Sequence, residues 1–518
     1  MRIKTFMFRT FRSYKFNRLT IGFQLSIVCK YVLLPVVGQE IKDHIFQHGD
    51  YAAFAGRLRY ETDLLASWFR QDQFADSGMV AGFELEAWLV NERARPAPCN
   101  ARVLERLNDD HVVSELAQFN IELNTTPRPI QSRMLADMQA EAQDRLLRCQ
   151  QAARLEKCRL ALIGILPTVA NQDMVPENMS ALERYHALNE QVLRLRGGRP
   201  IELNIQGKDL LHVTHNDVML ESATTSLQIH LQIPPHLAVR YYNASLLASA
   251  FMAAVCANSP YLFGHDLWSE TRIPLFEQAV DARSFSERDG IVYRRVSFGT
   301  GYAVESLLEC FEENVRHHDI LLPCLFDEPD DQLMHLRLHN GTIWRWNRPL
   351  VAPPAVTTDG LPHLRIEHRV PAAGPTVTDM VANIALFIGM VHAFIQEERP
   401  LEQMIPFAHA RQNFYNAARD GLHARMVWRS GDSSSINKIL KQEILPAAHR
   451  ALLSLNLDAA DVDYYTDIIC GRVHSGQTGA QWQREYMRTH GCTPEELVLC
   501  YMRNAETERP VHTWSTSD

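Results

Sequence analysis

Glu84 and Glu86 stand two residues apart in the segment AGFELEAWLV, 81–90, among Phe83, Leu85, Trp88, Leu89 and Val90. In an extended chain, residues at i and i+2 point to the same side. The spacing therefore sets two carboxylates side by side in apolar surroundings. Like charges repel at that distance, and burying one without a partner is costly. Two arrangements resolve the conflict. Either the face is open to water, or a hard divalent cation such as Mg2+ takes oxygens from both acids. A cation needs more than two ligands, so the rest of the chain has to supply them.

Four further segments place polar residues on alternating positions. NIELN (120–124) carries Glu122 and Asn124, and SLQIHL (226–231) carries Gln228 and His230 beside Leu227, Ile229 and Leu231. WRWNRP (344–349) carries Arg345 and Arg348, and RIEHR (365–369) carries Arg365, Glu367 and Arg369. Taken singly, each reads as the solvated face of a strand. On one sheet they would make a surface suited to Mg2+ and a polyanion, with acids for the metal and guanidiniums for phosphate or carboxylate oxygens.

Other chemistries find less support. The chain has no G-x-x-x-x-G-K-[ST], which excludes a P-loop, and GTGYAV at 299–304 lacks the last glycine of a dinucleotide fingerprint and reads as a turn. No G-x-S-x-G occurs, against an α/β-hydrolase. HLRLH places His335 and His339 on one face of an expected strand, but no third zinc ligand stands at a suggestive spacing.

These residues need elements to hold them. Apolar spacing predicts helix within 40–75, strands at 81–90 and 120–126, and a long helix over 133–158 followed by a buried strand at 159–168. Pro127 and Pro129 should stop the second strand. The Met-, Asn- and Pro-containing stretch 171–200 reads as an excursion or lid. Strand at 224–233, helix at 240–257, strands within 333–351 and 361–372, and helices from 376 onward complete the pattern. MVANIALFIGMVHAFI, 380–395, is too short to span a membrane and reads as a core helix, with Thr378 and Asp379 as candidate N-caps. Strands and helices alternate without regular β-α-β spacing. The expected class is α+β, with a mixed or antiparallel sheet bearing the site and helices flanking it.

A net charge of -9 with no dense Lys/Arg block in the body of the chain argues against nucleic acid as the main partner. The ten cysteines form no C-x-x-C pair, consistent with reduced thiols and a cytoplasmic location. Residues 1–36 hold seven Lys/Arg and no acid, and the apolar run that follows is interrupted by Lys30. It is poor as a secretory signal or membrane span, and a natural start near Val37 is the favoured expectation. The domain reading is a leader at 1–36, a catalytic domain at 37–400 and a helical extension at 401–518.

The segments GFELEAWLV, IELNTTP, SLQIHL, ANSPYLFG, IWRWNRP and RIEHRVP, in that order, resemble the glutamate–cysteine ligase type 2 group. That group belongs to the carboxylate–amine ligases with a glutamine-synthetase-like catalytic sheet. The resemblance runs from about residue 80 to 395, with SGQTGAQWQRE as a further family-like piece in the tail. One departure is PAAG, where Ala372 stands in place of an acid found in many relatives.

The resemblance implies an enzyme that uses ATP and Mg2+, with Mn2+ as a substitute. It would make γ-glutamylcysteine, the first step of glutathione synthesis, from small-molecule substrates, with no membrane partner. It further implies Glu84, Glu86, Glu122 and Glu367 as metal ligands, and Gln228 and His230 as contacts to nucleotide or metal. Arg369, Arg348, Arg272 and Arg283 become candidates for binding the transferring phosphoryl group or other anions. Asn124 and Arg365 become candidates for substrate binding. The alternatives are another amine acceptor on the same fold, or an inactive nucleotide-binding relative.

Overall fold

β1, Val80–Val90, is the strand around which the central sheet is built. The computed structural model describes residues 41, 45–76, 78–282, 293–354, 360–429 and 431–517. Helix α1 (His48–Arg70) precedes β1, and α2 (Asn100–Leu107), β2 (Val112–Ser114), β3 (Asn120–Asn124), β4 (Arg128–Pro129), α3 (Met134–Leu155) and β5 (Arg159–Ala161) follow it. Next come α4 (Glu183–Leu195), β6 (Leu227–Ile233), α5 (Ala238–Val255), α6 (Arg272–Ala279), α7 (Leu308–His317) and α8 (Met334–Gly341). β7 (Asn347–Ala352), β8 (His363–His368) and α9 (Val377–Ile395) close the series that positions the site. Helices dominate from there to the end.

The eight strands run β7-β8-β6-β1-β3-β2, with β4 and β5 also pairing with β1, and every pairing is antiparallel. Alternate residues divide the two faces. Phe83, Leu85, Ile121, Leu123, Leu227, Ile229, Leu231, Leu364 and Ile366 are buried on one side. On that side His368 stacks on Phe387 of α9, ring centroids 4.1 Å apart, and its Nδ1 meets Asn347 Oδ1 at 2.7 Å.

α9 is long and apolar enough to cross a membrane, yet it is buried along most of its length. It packs against α3, α5 and the helices Leu445–Ser454 and Ala459–Ser475, which accounts for its apolarity. Its N-cap is Thr376, whose Oγ1 accepts from Asp379 N at 2.9 Å, so neither Thr378 nor Asp379 caps the helix as the sequence suggested. Asp379 is instead the buried partner of Arg472 at 2.8 Å, and Arg472 also donates to Asn383 Oδ1 and Val255 O. This pair ties the C-terminal helices to the core. Gly374, in the departing PAAG segment, has φ +80°, and a Cβ there would overlap Leu162 O, so only glycine fits. Ala372 in the same segment is fully buried and bridges to Ser226, the residue before β6.

Several expected boundaries move. HLRLH is not strand but the start of α8, and its two histidines sit one helical turn apart. His335 Nδ1 lies 2.6 Å from Glu61 Oε1 of α1, while His339 Nε2 lies 3.1 Å from Asn314 O of α7. Both rings are buried in packing roles, which answers the zinc reading. Within 159–168 only Arg159–Ala161 pairs as strand. The prolines do not end pairing altogether, because Arg128–Pro129 returns to bond Val80–Ala81. The stretch 171–200 contains two short 3-10 turns and α4.

Candidate active site

Antiparallel register carries the polar residues of five strands onto one face. Glu84 lies opposite Asn124 on β3 and opposite Gln228 on β6, and Glu86 lies opposite Glu122. One row further, His230 is flanked by Gly82 and Glu367, and Glu367 by Arg348. Arg365 pairs with Gln232 in the next row of the same face. Directly paired residues share a side of the sheet. The rows therefore grade from acids at β1–β3 to guanidiniums at β7–β8.

At the acidic end, Glu86 accepts hydrogen bonds from Ser226 N (2.7 Å), Ser226 Oγ (2.8 Å) and Gln228 Nε2 (2.9 Å). Glu122 accepts from Asn124 Nδ2 at 2.8 Å. A third acid, Glu115, follows β2 and completes a cluster: oxygens of Glu86, Glu115 and Glu122 lie within 4.8 Å of one another. None of the three forms an ion pair among the described residues. Burial, reinforced by the Glu115 charge, pushes the Glu86 carboxyl up to about 7 despite the Ser226 donors. Burial and then the Glu84, Glu115 and Glu86 charges hold Glu122 well above the ordinary carboxylate range. Burial likewise raises Glu115. Three half-buried acids that repel one another, and whose carboxyls stay raised despite Arg184 near Glu115, are a donor set that fits a hard divalent ion.

At the basic end the acid is saturated. Glu367 receives Arg348 at 2.7 Å on one oxygen and Arg369 on the other. Burial alone would raise its carboxyl, but Arg348 and Arg369 hold it well below the usual range. Between the two ends, His230 Nε2 lies 3.0 Å from Glu84 Oε1, yet neither ring nitrogen has a well-aligned hydrogen bond. The Nε atoms of Arg348, Arg365 and Arg369 are also buried without a partner. Arg365 makes no ion pair among the described residues, and burial pushes its guanidinium down. Orphaned buried donors beside an acid cluster fit a bound anion together with a cation.

The remaining arginines separate. Arg272, at the start of α6, spends its guanidinium on Val370 O (3.1 Å) and Arg369 O (3.4 Å), bracing the end of β8. Arg345 does not join the face: it is buried against Glu313 (2.6 Å) and Asn314 Oδ1 (2.9 Å) of α7. Arg283 lies outside the described residues.

Sequence reasoning missed Glu115, a single acid after a three-residue strand with no alternation to announce it. It also missed Glu221, on a 3-10 turn before β6, whose carboxyl is pushed well above its ordinary range by burial and by Glu115 and Glu86. From α4, Tyr185 OH donates to Ser114 O at 3.0 Å and accepts from Arg184 NH2 at 2.8 Å, setting a cation beside Glu115. Only Tyr185 had a signal, its place in the 171–200 excursion; Glu115 and Glu221 had none.

The profile of glutamate–cysteine ligase family 2 matches residues 80–499. No curated protein matches the chain in sequence. Among solved structures, the chain is similar to a glutamate–cysteine ligase from Francisella tularensis in complex with AMP. That likeness has a TM-score of 0.56 and 11% identity, over 86% of this chain and 91% of that one. It is also similar to a bifunctional glutathione synthetase from Pasteurella multocida, with TM-score 0.51 and 12% identity, over 86% of this chain and 55% of that one. At such identities the likeness speaks for the fold alone, an antiparallel sheet with flanking helices. With the family profile spanning most of its length, the chain belongs to glutamate–cysteine ligase family 2, a family of carboxylate–amine ligases.

Proposed function

We propose that this chain is an ATP-dependent ligase joining the γ-carboxyl of glutamate to the amine of cysteine through a γ-glutamyl phosphate. The observation that carries the reading is the single sheet face on which Glu86, Glu115 and Glu122 cluster at one end and Arg348, Arg365 and Arg369 gather at the other. β8 stands two strands from β1, about 10 Å across the ladder. That separation suits a polyphosphate whose metal lies at one end.

Glu86, Glu115 and Glu122 would hold one Mg2+ or Mn2+, and Glu84 with His230 Nε2 at 3.0 Å would add donors next to them, whereas Glu367, expected as a ligand, has both oxygens engaged by Arg348 and Arg369. A cation bound there neutralises phosphate charge and aligns the terminal phosphate. A carboxylate is a poor acyl donor, so a glutamate oxygen attacks the γ-phosphorus of ATP and ADP leaves. The amine nitrogen then attacks the acyl carbon, inorganic phosphate leaves, and the amine gives up a proton. Arg348 and Arg369 stabilise the transferring phosphoryl group. Arg365 binds a substrate carboxylate, and Asn124 and Gln228 orient the acids beside them. Arg272 acts by positioning Arg369 through the backbone. Arg283 stands as an anion-binding candidate on the family likeness. No protein nucleophile is required.

The test is ADP release by the whole chain with Mg2+ and glutamate, with and without cysteine, together with the product mass. Cysteine-dependent release with the mass of the γ-glutamyl dipeptide is expected. Release that ignores cysteine but follows another amine keeps the ligase and replaces the acceptor. No ADP release with any amine overturns the reading.

A further inference from the structure

Away from the sheet face, two thiols from distant parts of the sequence meet inside the protein. Cys99 is the N-cap residue of α2 and Cys158 immediately precedes β5, and their Sγ atoms lie 2.8 Å apart. Both side chains are buried, at 4% and 6% exposure. Among the nine described cysteines, all free, no other two thiols are in bonding contact. We infer that Cys99 and Cys158 are a redox modification site, a thiol pair that a hydroperoxide converts to a disulfide. The inference stands apart from the proposed ligase activity.

Geometry supplies the first half of the argument. A disulfide needs two Cβ atoms whose vectors converge, and convergence is the feature chance pairs lack. Here the sulfurs already face one another closer than non-bonded sulfurs rest, so closure needs a shift of less than about 1 Å to reach bond length. The surroundings supply the second half. The hydrogen bond from Cys99 pushes the Cys158 thiol down against the opposing effect of burial, and Arg102 adds to the lowering. Arg102 is held nearby by Glu156 at 2.7 Å. Cys158 is thus the sulfur better able to carry charge, and Cys99 the thiol that follows.

The step balances without a cofactor. The Cys158 sulfur attacks one oxygen of the hydroperoxide, the O–O bond breaks, and a sulfenic acid forms as the other oxygen leaves as water or alcohol. The Cys99 sulfur then attacks the Cys158 sulfur, the S–O bond breaks, and water leaves with the Cys99 proton. Two thiols lose two electrons and two protons, and the hydroperoxide is reduced.

The pair is also wired to the acid cluster. Cys99 N and Asn100 N both donate to Gln118 O at 2.9 Å. Asn100 Nδ2 donates to Ala117 O, Asn120 O and Ser180 Oγ, and Ser180 Oγ in turn donates to Glu115 O. A cross-link at Cys99 therefore acts on the segment that leads from Glu115 to Glu122.

The experiment exposes the purified full chain to hydrogen peroxide, quenches with an alkylating agent under denaturing conditions and maps peptides without reduction. The expected result is a Cys99 peptide joined to a Cys158 peptide, lighter by two hydrogens than their sum and separated by dithiothreitol. Cys149, buried but without a thiol neighbour, should be recovered alkylated. In a Cys99→Ser variant, Cys158 should instead stop at the sulfenic acid and take up dimedone. Recovery of both cysteines as alkylated thiols, or their separate oxidation to sulfinic acids without a cross-link, would overturn the proposal.

Discussion

Replacing Glu86 with Gln should make the metal-free protein less sensitive to pH while destroying its capacity for turnover. In the folded chain the Glu86 carboxyl sits at about 7, raised from 4.5 by burial and by Glu115. Its proton is thus retained on folding between those two values, where the unfolded chain has already lost its own. The folded state binds more protons in that window, so stability falls as pH rises through it. The rise from 4.5 to about 7 corresponds to about 3 kcal/mol. Because the shift is shared with neighbouring acids, about 1–2 kcal/mol is assigned to Glu86 itself. A second figure is of the same order: two full charges no more than 4.8 Å apart cost at least about 3.5 kcal/mol at an effective dielectric near 20, and partial protonation relieves part of it. The assay is denaturant unfolding in the presence of a chelator at about pH 4 and about pH 8, on either side of the window. Wild type should lose about 1–2 kcal/mol more than Glu86→Gln between the two. Saturating Mg2+ should stabilise wild type at the higher pH and leave the variant almost unmoved. Equal pH slopes in the two proteins would show that Glu86 is not held against its charge, and the cluster argument would fail.

Other outcomes follow from the same geometry. Glu115→Gln should weaken Mn2+ binding, read by electron paramagnetic resonance or calorimetry, by at least about 10–100-fold while the protein stays folded. Arg365→Ala, which breaks no ion pair, should change stability by no more than about 0.5 kcal/mol yet raise the KM for the acid substrate. Unchanged kinetics would remove Arg365 from the site. Arg472→Met strands Asp379 in the core and should cost about 3–5 kcal/mol in unfolding experiments, with the effect carried by stability alone.

Legibility in the sequence followed the physics of each element. Glu84, Glu86, Glu122, Gln228, His230 and Glu367 could be placed on one face because they lie on strands, where a two-residue period fixes the side before any partner is known. The antiparallel pairing then had only to bring those faces together. HLRLH misled for a related reason. In α8 the residues Met334, His335, Leu336, Leu338, His339 and Asn340 are all buried, so the helix has no polar side to give a 3.6-residue signature, and chance alternation imitates a strand. Arg345 and Arg348 share a motif but part company because Trp344–Arg345 pairs with Val296–Ser297 instead of joining the main sheet. Glu115, Glu221 and Tyr185 sit on turns and a helix start, where no period exists and only tertiary contact reveals a role.

That β1 bonds to β3, β4, β5 and β6 while the arginine-bearing strands lie at the far end of the sheet has a consequence for synthesis. On the ribosome the chain emerges N-terminus first, so the acids on β1 and β3 and the imidazole on β6 are exposed well before Arg348, Arg365 and Arg369 are made. For that interval the nascent chain carries the acidic half of the face without its basic half. A divalent ion captured then would relieve the repulsion among the acids and favour early pairing of β1 with β3. On the proposed function, nucleotide would find its guanidiniums only after β8 has docked. If the proposed function holds, order of translation would separate loading of the cation from loading of the phosphate.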